Sequence, residues 1–200
     1  MASEKLLFYG GSFDPPHMGH RRLLEAAIAE IRPDITLVIP TGLSPFKDRC
    51  STPFRDRVRM ARLAFSDLGN VRVSTLEGKG WRSYTFKTVR KLLKKYPGRE
   101  LYMLIGSDML TSFGHWRLYR RIMARVTLVA GCRDDDEVRA FEQSAEKLRK
   151  EGARIILLSF SPVEVSSTGI RETVQNGGNV EGYLPQDVIT HIRKRGLYSR

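Results

Sequence analysis

The sequence predicts an α/β fold, a doubly wound and mostly parallel sheet with helices on both faces. Three observations predict it. Short apolar runs alternate with amphipathic segments along the chain, and strand–helix alternation of this kind gives parallel strands covered on both sides. The first apolar run, "KLLFY", is joined to the helically spaced "RRLLEAAIAEI" by "GGSFDPPHMGH", a loop rich in turn-forming residues. Finally, 200 residues suffice for one sizeable domain, taken as 1–200, and no linker is evident within it.

In chain order, strands are expected at 5–9 (KLLFY), 35–40 (ITLVIP), 70–74 (NVRVS), 100–105 (ELYMLI), 125–130 (RVTLVA) and 154–158 (RIILL). Helices are expected at 18–31, 53–67, 84–96, 136–151, 169–176 and 185–195. In the first helix Leu24, Ala27, Ile28 and Ile31 share a face, and in the fourth Val138, Phe141, Ala145 and Leu148 do the same. In the second, Phe54, Val58, Ala61, Phe65 and Leu68 share one face, which puts Arg55, Arg57, Arg59 and Arg62 mostly off the core. Ligands of such sheets bind beyond the carboxyl ends of the strands, where the strand order reverses. Loops that follow strands are therefore where chemistry is expected. No repeat or low-complexity tract interrupts the pattern.

Composition narrows the class. The hydrophobic fraction of 41% suits a globular protein, and no apolar run is long enough to cross a membrane. The N-terminus lacks the order of a signal peptide. A cytoplasmic protein without a membrane partner is expected. Cys50 and Cys132 are too few for a disulfide framework, form no CxxC pair and read as structural. The net charge of +12 calls for anionic partners, either nucleic acid or a phosphate-rich small substrate. No RNA-binding signature accompanies the arginines, and most lysines fit a solvated surface. No nucleic-acid partner is expected, and a homo-oligomer is left open.

The opening loop carries the first chemistry. Gly10 and Gly11 allow a sharp turn and a close approach of ligand to backbone. Ser12 offers a hydroxyl, and Asp14-Pro15-Pro16 stiffens the loop. His17 and His20 enter the following helix three residues apart, near free N–H groups and a positive dipole end that favour phosphate. Metal binding by this pair ranks below phosphate binding, because no HExxH pattern, Cys partner or third ligand lies nearby. A structural loop would not need both histidines, although one alone fits a cap or core role.

A second stretch, "VSSTGIR", places Ser166, Ser167 and Thr168 before a helix and Arg171 inside it. Hydroxyls there make good N-caps, and together with Arg171 they offer donors to a phosphate chain. Alone, an ordinary cap would be the preferred reading.

The two stretches together resemble the signatures of the nucleotidylyltransferase superfamily. G-G-x-F-D-P-x-H-x-G-H, here with Ser12 where threonine is commoner, resembles the first, and S-S-T-x-I-R resembles the second. Within it the chain is similar to the bacterial nicotinate-nucleotide adenylyltransferases over almost its whole length. "SYTFKT" at 83–88, "LIGSDML" at 104–110, Trp116, Arg133 in "VAGCRDDD" and the tail "LPQDVITHIRKRGLY" carry that similarity. Three positions depart from the pattern: Phe46 for histidine beside Lys47, Lys87 for aspartate, and His191 for tyrosine.

The resemblance implies a Rossmann-like fold and transfer of AMP from ATP to nicotinate mononucleotide, giving deamido-NAD and pyrophosphate, with Mg²⁺ accompanying ATP and no metal held by protein side chains. It implies His17, His20 and Arg171 as catalytic residues. ATP would meet Gly10, Gly11, Ser12, Phe13, His17, His20, Gly106, Asp108, Ser166, Ser167, Thr168 and Arg171. Nicotinate mononucleotide would meet Lys47, Ser83, Tyr84, Thr85, Trp116 and Arg133. In this reading Trp116 stacks on the nicotinate ring and a backbone N–H near Thr85 reads its carboxylate. An adenylyltransferase of the same fold acting on nicotinamide mononucleotide or phosphopantetheine is the nearest alternative. A basic nucleic-acid-binding module is another, and a tRNA synthetase fragment lacks its K-M-S-K-S loop here.

Overall fold

A computed structural model describes residues 4–43, 52–78, 83–132, 138–159 and 163–199. Six parallel strands form one sheet in the order β3-β2-β1-β4-β5-β6. They are β1 (Lys5–Gly11), β2 (Ile35–Pro40), β3 (Val71–Val73), β4 (Glu100–Gly106), β5 (Thr127–Gly131) and β6 (Arg154–Leu158). The helices are α1 (Met18–Ile31), α2 (Phe54–Ala64), α3 (Thr85–Lys95), α4 (Ser107–Thr111), α5 (Tyr119–Met123), α6 (Val138–Lys150), α7 (Ser167–Gln175) and α8 (Gln186–Arg195).

Successive side chains of a strand point to opposite faces, and β1 divides accordingly. Leu6 and Phe8 join one core with Val89 of α3, Leu110 of α4, Ile122 of α5 and Phe141 of α6. Leu7 and Tyr9 join the other, with Leu24 of α1, Ala61 of α2, Ile170 of α7 and Val188 of α8. The helices of the first half thus cover one face, those from α3 to α6 cover the second, and α7 and α8 return to the first. Both faces being covered, the strands carry continuous apolar runs, as the expected doubly wound sheet requires. The order reverses between β1 and β4, so the crevice for a ligand opens at their carboxyl ends.

Two expectations change. Gly10 and Gly11 are strand residues, paired with Ile39 and Pro40, and the turn begins only at Ser12. Arg57 does not lie off the core: it is 1% exposed. Its Nη1 donates to Ser12 O (2.7 Å), its Nη2 to Gly42 O (3.1 Å) and its Nε to Thr52 O (3.3 Å). Three carbonyls from the β1–α1 and β2–α2 connections solvate the guanidinium, which a helical wheel cannot show.

Candidate active site

The site grows from the end of β1. Gly11 lies against the ring of Phe13, and a Cβ at residue 11 would stand 3.0 Å from that ring. Phe13 has φ 48°, left-handed backbone that a bulky residue adopts only when its surroundings hold it there. Its fully buried ring packs on Tyr9 (5.3 Å between centroids), His20 (5.2 Å) and Phe65 (6.0 Å). This anchor turns the chain toward α1.

His17 is the N-cap of α1, just outside the helix, and not a helical neighbour of His20. Its Nδ1 accepts from the His20 N–H at 3.4 Å, and the Nδ1 of His20 accepts from the His17 N–H at 3.2 Å. This is a reciprocal capping box built from two imidazoles. The chemical consequence is a tautomer. With each Nδ1 accepting, the hydrogen of each neutral ring sits on Nε2, which becomes a donor. The rings lie 3.7 Å apart between centroids. Gly19 between them is dictated by space: a Cβ there would come within 3.1 Å of the His17 ring and 3.3 Å of Val165.

The second stretch docks on the first. Ser166 caps α7, its Oγ accepting from Gly169 N at 3.0 Å, so the helix begins at Ser167, ahead of the expected 169. Ser167 Oγ donates to Pro15 O (2.9 Å). Arg171 Nη1 donates to Asp14 O (2.8 Å), and its Nη2 to Thr168 Oγ1 (3.1 Å). Asp14 is buried, and its Oδ1 accepts from Tyr198 OH at 2.7 Å. Burial and the neighbouring Asp14 carboxylate push the Tyr198 phenol well up, so it stays a donor across the physiological range.

These groups face a cavity of about 700 Å³ at the carboxyl ends of β1 and β4, within the range that holds a nucleotide-sized ligand. Every residue expected to meet ATP lines it, from Gly10 and His20 to Thr168 and Arg171. Gly106 ends β4 and caps α4, and Asp108 lies in the first turn, its Oδ1 accepting from Met109 N at 2.9 Å. Of the residues expected at the acceptor, Ser83, Thr85 and Trp116 line the cavity, and Tyr84 is not among its lining. Tyr84 is the N-cap of α3, without a side-chain cap bond. Lys87 Nζ and the Arg117 guanidinium stand 5.5 and 5.2 Å from its ring centroid. Lys47 and Arg133 lie outside the described residues, as do Phe46, Trp81 and Cys50.

Five polar lining residues carry no expectation from the sequence: Thr41, Glu77, Thr88, Ser112 and His115. Thr88 closes the quoted "SYTFKT", and its hydroxyl donates to Glu77 Oε1 at 2.5 Å. That pairing joins a loop to a helix and has no periodic signal. Among the described residues no group of three or more His, Cys, Asp or Glu side chains is placed to hold a metal. The lining offers hydroxyls and imidazoles in greater part than carboxylates, a donor set suited to phosphate oxygens.

Residues 8–173 match the family model described as cytidylyltransferase-like. The chain belongs to the cytidylyltransferase-like family. A relative from Dehalococcoides mccartyi, 35% identical over the full length of both chains, is named "Probable nicotinate-nucleotide adenylyltransferase". One from Gemmatimonas aurantiaca bears the same name and is 32% identical over 97% of this chain and 92% of its own. Nicotinic acid mononucleotide adenylyltransferase of Plasmodium falciparum, solved with NaAD, superposes with a TM-score of 0.78 over 98% of this chain and 97% of that one, at 17% identity. That likeness confirms the Rossmann-like fold of this cytidylyltransferase-like chain. Among the described residues, no helix is long and apolar enough to cross a membrane.

Proposed function

We propose that the protein transfers AMP from ATP to nicotinate mononucleotide, giving deamido-NAD and pyrophosphate, in the cytoplasm. The observation that carries this reading is the junction of the two signature stretches, Arg171 on Asp14 O and Ser167 on Pro15 O, at the wall of one cavity. The shared name of the full-length relatives supports the choice of acceptor.

The acceptor's phosphate oxygen attacks the α-phosphorus of ATP in line, and the pyrophosphate oxygen leaves with the bonding pair. The nucleophile is already ionised, so no general base is required. Catalysis then rests on positioning and on neutralising charge. The Nε2–H groups of His17 and His20 donate to α-phosphate oxygens. Ser12, Ser166, Thr168 and Arg171, with the backbone N–H of Ser167 at the start of α7, receive the β- and γ-phosphates. Gly106 and Asp108 meet the adenosine ribose. Mg²⁺ arrives as part of the ATP complex, where it neutralises phosphate charge.

Trp116 stacks on the nicotinate ring, while the uncapped first turn of α3 at Thr85 presents N–H groups to its carboxylate. Ser83 and Tyr84 hold that turn in place, and Lys47 and Arg133 take the acceptor phosphate. Pyrophosphate release, measured with nicotinate and separately with nicotinamide mononucleotide, tests the reading. A large kcat/KM preference for the acid is the expected result. Equal use of both would discard the carboxylate-reading role of α3, and turnover with neither would refute the assignment.

A further inference from the structure

Arg57 is a fully buried cation that forms no ion pair with any carboxylate among the described residues. Its neighbour Asp56 is engaged elsewhere, by His191 Nε2 at 3.2 Å and Arg195 Nε at 3.3 Å. Burying a charge is costly unless its hydrogen-bonding groups are met. Here they are met by the carbonyl of Ser12 in the β1–α1 connection and by those of Gly42 and Thr52 in the β2–α2 connection. Phe54 covers the guanidinium at 5.4 Å from its ring centroid.

The bonds continue past Arg57. Ser12 lines the cavity, where the proposed function puts the ATP phosphates. Gly42 N–H donates to Ser83 Oγ at 3.2 Å, and Ser83 N–H donates to Leu43 O at 2.8 Å. Ser83 also lines the cavity, two residues before Thr85, where the proposed acceptor subsite lies. Gly42 has no room for another residue, since a Cβ there would fall 2.2 Å from Glu77 O. A chain of hydrogen bonds therefore runs from Ser12 through Arg57 and Gly42 to Ser83, behind the cavity wall.

We infer that Arg57 is a positioning residue that couples the two substrate subsites, so that nucleotide bound at the Ser12 loop tightens the acceptor's hold at the Ser83–Thr85 turn. The inference rests on the proposed adenylyl transfer for the identity of the two substrates. A rigid three-point fork suits this task. A lysine ammonium keeps the charge but loses the fixed geometry.

The test measures nicotinate mononucleotide affinity by calorimetry, with and without a non-hydrolysable ATP analogue, in the wild type, Arg57→Lys and the exposed control Arg59→Lys. The wild type and Arg59→Lys are expected to show tightening within the usual allosteric range of about 5- to 150-fold. In Arg57→Lys the factor should fall to within about twofold of unity, with kcat/KM down by roughly 10². Should Arg57→Lys fail to fold, Ser83→Ala severs the same chain one step further on and must lose the coupling instead. The inference is overturned if a folded Arg57→Lys keeps the wild-type factor. It is equally overturned if the wild type shows none. Failure of the adenylyl-transfer reading looks different: no pyrophosphate would appear with either mononucleotide.

Discussion

Gly19 decides how closely the His17 ring can lie against α1. Replacing it with alanine adds a carbon 3.1 Å from that ring, while improving helix propensity by up to about 1 kcal/mol. Gly19→Ala should therefore melt near the wild-type temperature and yet lose roughly 10² in kcat, because the displaced imidazole no longer meets the α-phosphate. Paired calorimetry and steady-state kinetics would show this split. His20→Ala removes a donor outright and should cost on the order of 10²–10³ in kcat, by analogy with oxyanion-hole deletions. Gly10 differs from Gly19, since a Cβ there meets nothing within 4 Å. Gly10→Ala should fold normally and bind ATP more weakly, as an isothermal titration would report. The sequence announced the histidines and hydroxyls through their chemistry. It concealed Arg57 and Asp14, because their burial depends on partners far along the chain, Gly42 and Tyr198 among them.

At the scale of elements, the amphipathic helix α1 and the apolar runs β2 and β6 were legible to the residue. The short helices α4 and α5 were not, since five residues are too few for a helical period to show. Expected ends also slipped: α2 stops at Ala64, after which Leu68 N turns back onto Phe65 O. That turn delivers Asp67 to α1, where Arg21 binds it in a fork of 2.6 and 2.7 Å. The Arg21 hydrogen bonds hold the Asp67 carboxyl below its usual range. A depressed carboxyl stabilises the fold above its unfolded value and loses that contribution as pH falls through the folded one. Asp67→Asn should thus destabilise by less than about 1 kcal/mol at neutral pH, as Asp67 is 65% exposed. The two midpoints should begin to approach one another as pH falls below roughly 4, and meet once it is below the depressed folded value.

For the whole molecule, the net charge is +12, and the proposed ligands of its cavity are anions. Such a field raises encounter rates and is screened by salt. Raising ionic strength from 0.01 to 0.15 M should lower kcat/KM for ATP by roughly tenfold while kcat stays nearly constant. A nucleic-acid-binding module of equal charge would instead retard labelled RNA with a steep salt slope.

The bond from Tyr198 to Asp14 spans 184 positions, and that from Arg171 to the same residue spans 157. Order of synthesis then becomes a constraint on function. On the ribosome, the loop that begins at Ser12 can gain Arg57 and Phe65 early, but Asp14 must wait for Arg171 and Tyr198 until nearly all that follows is translated. A nascent chain halted before Arg171 would hold both histidines and still be inert, so competence arrives late and abruptly, with the last helices.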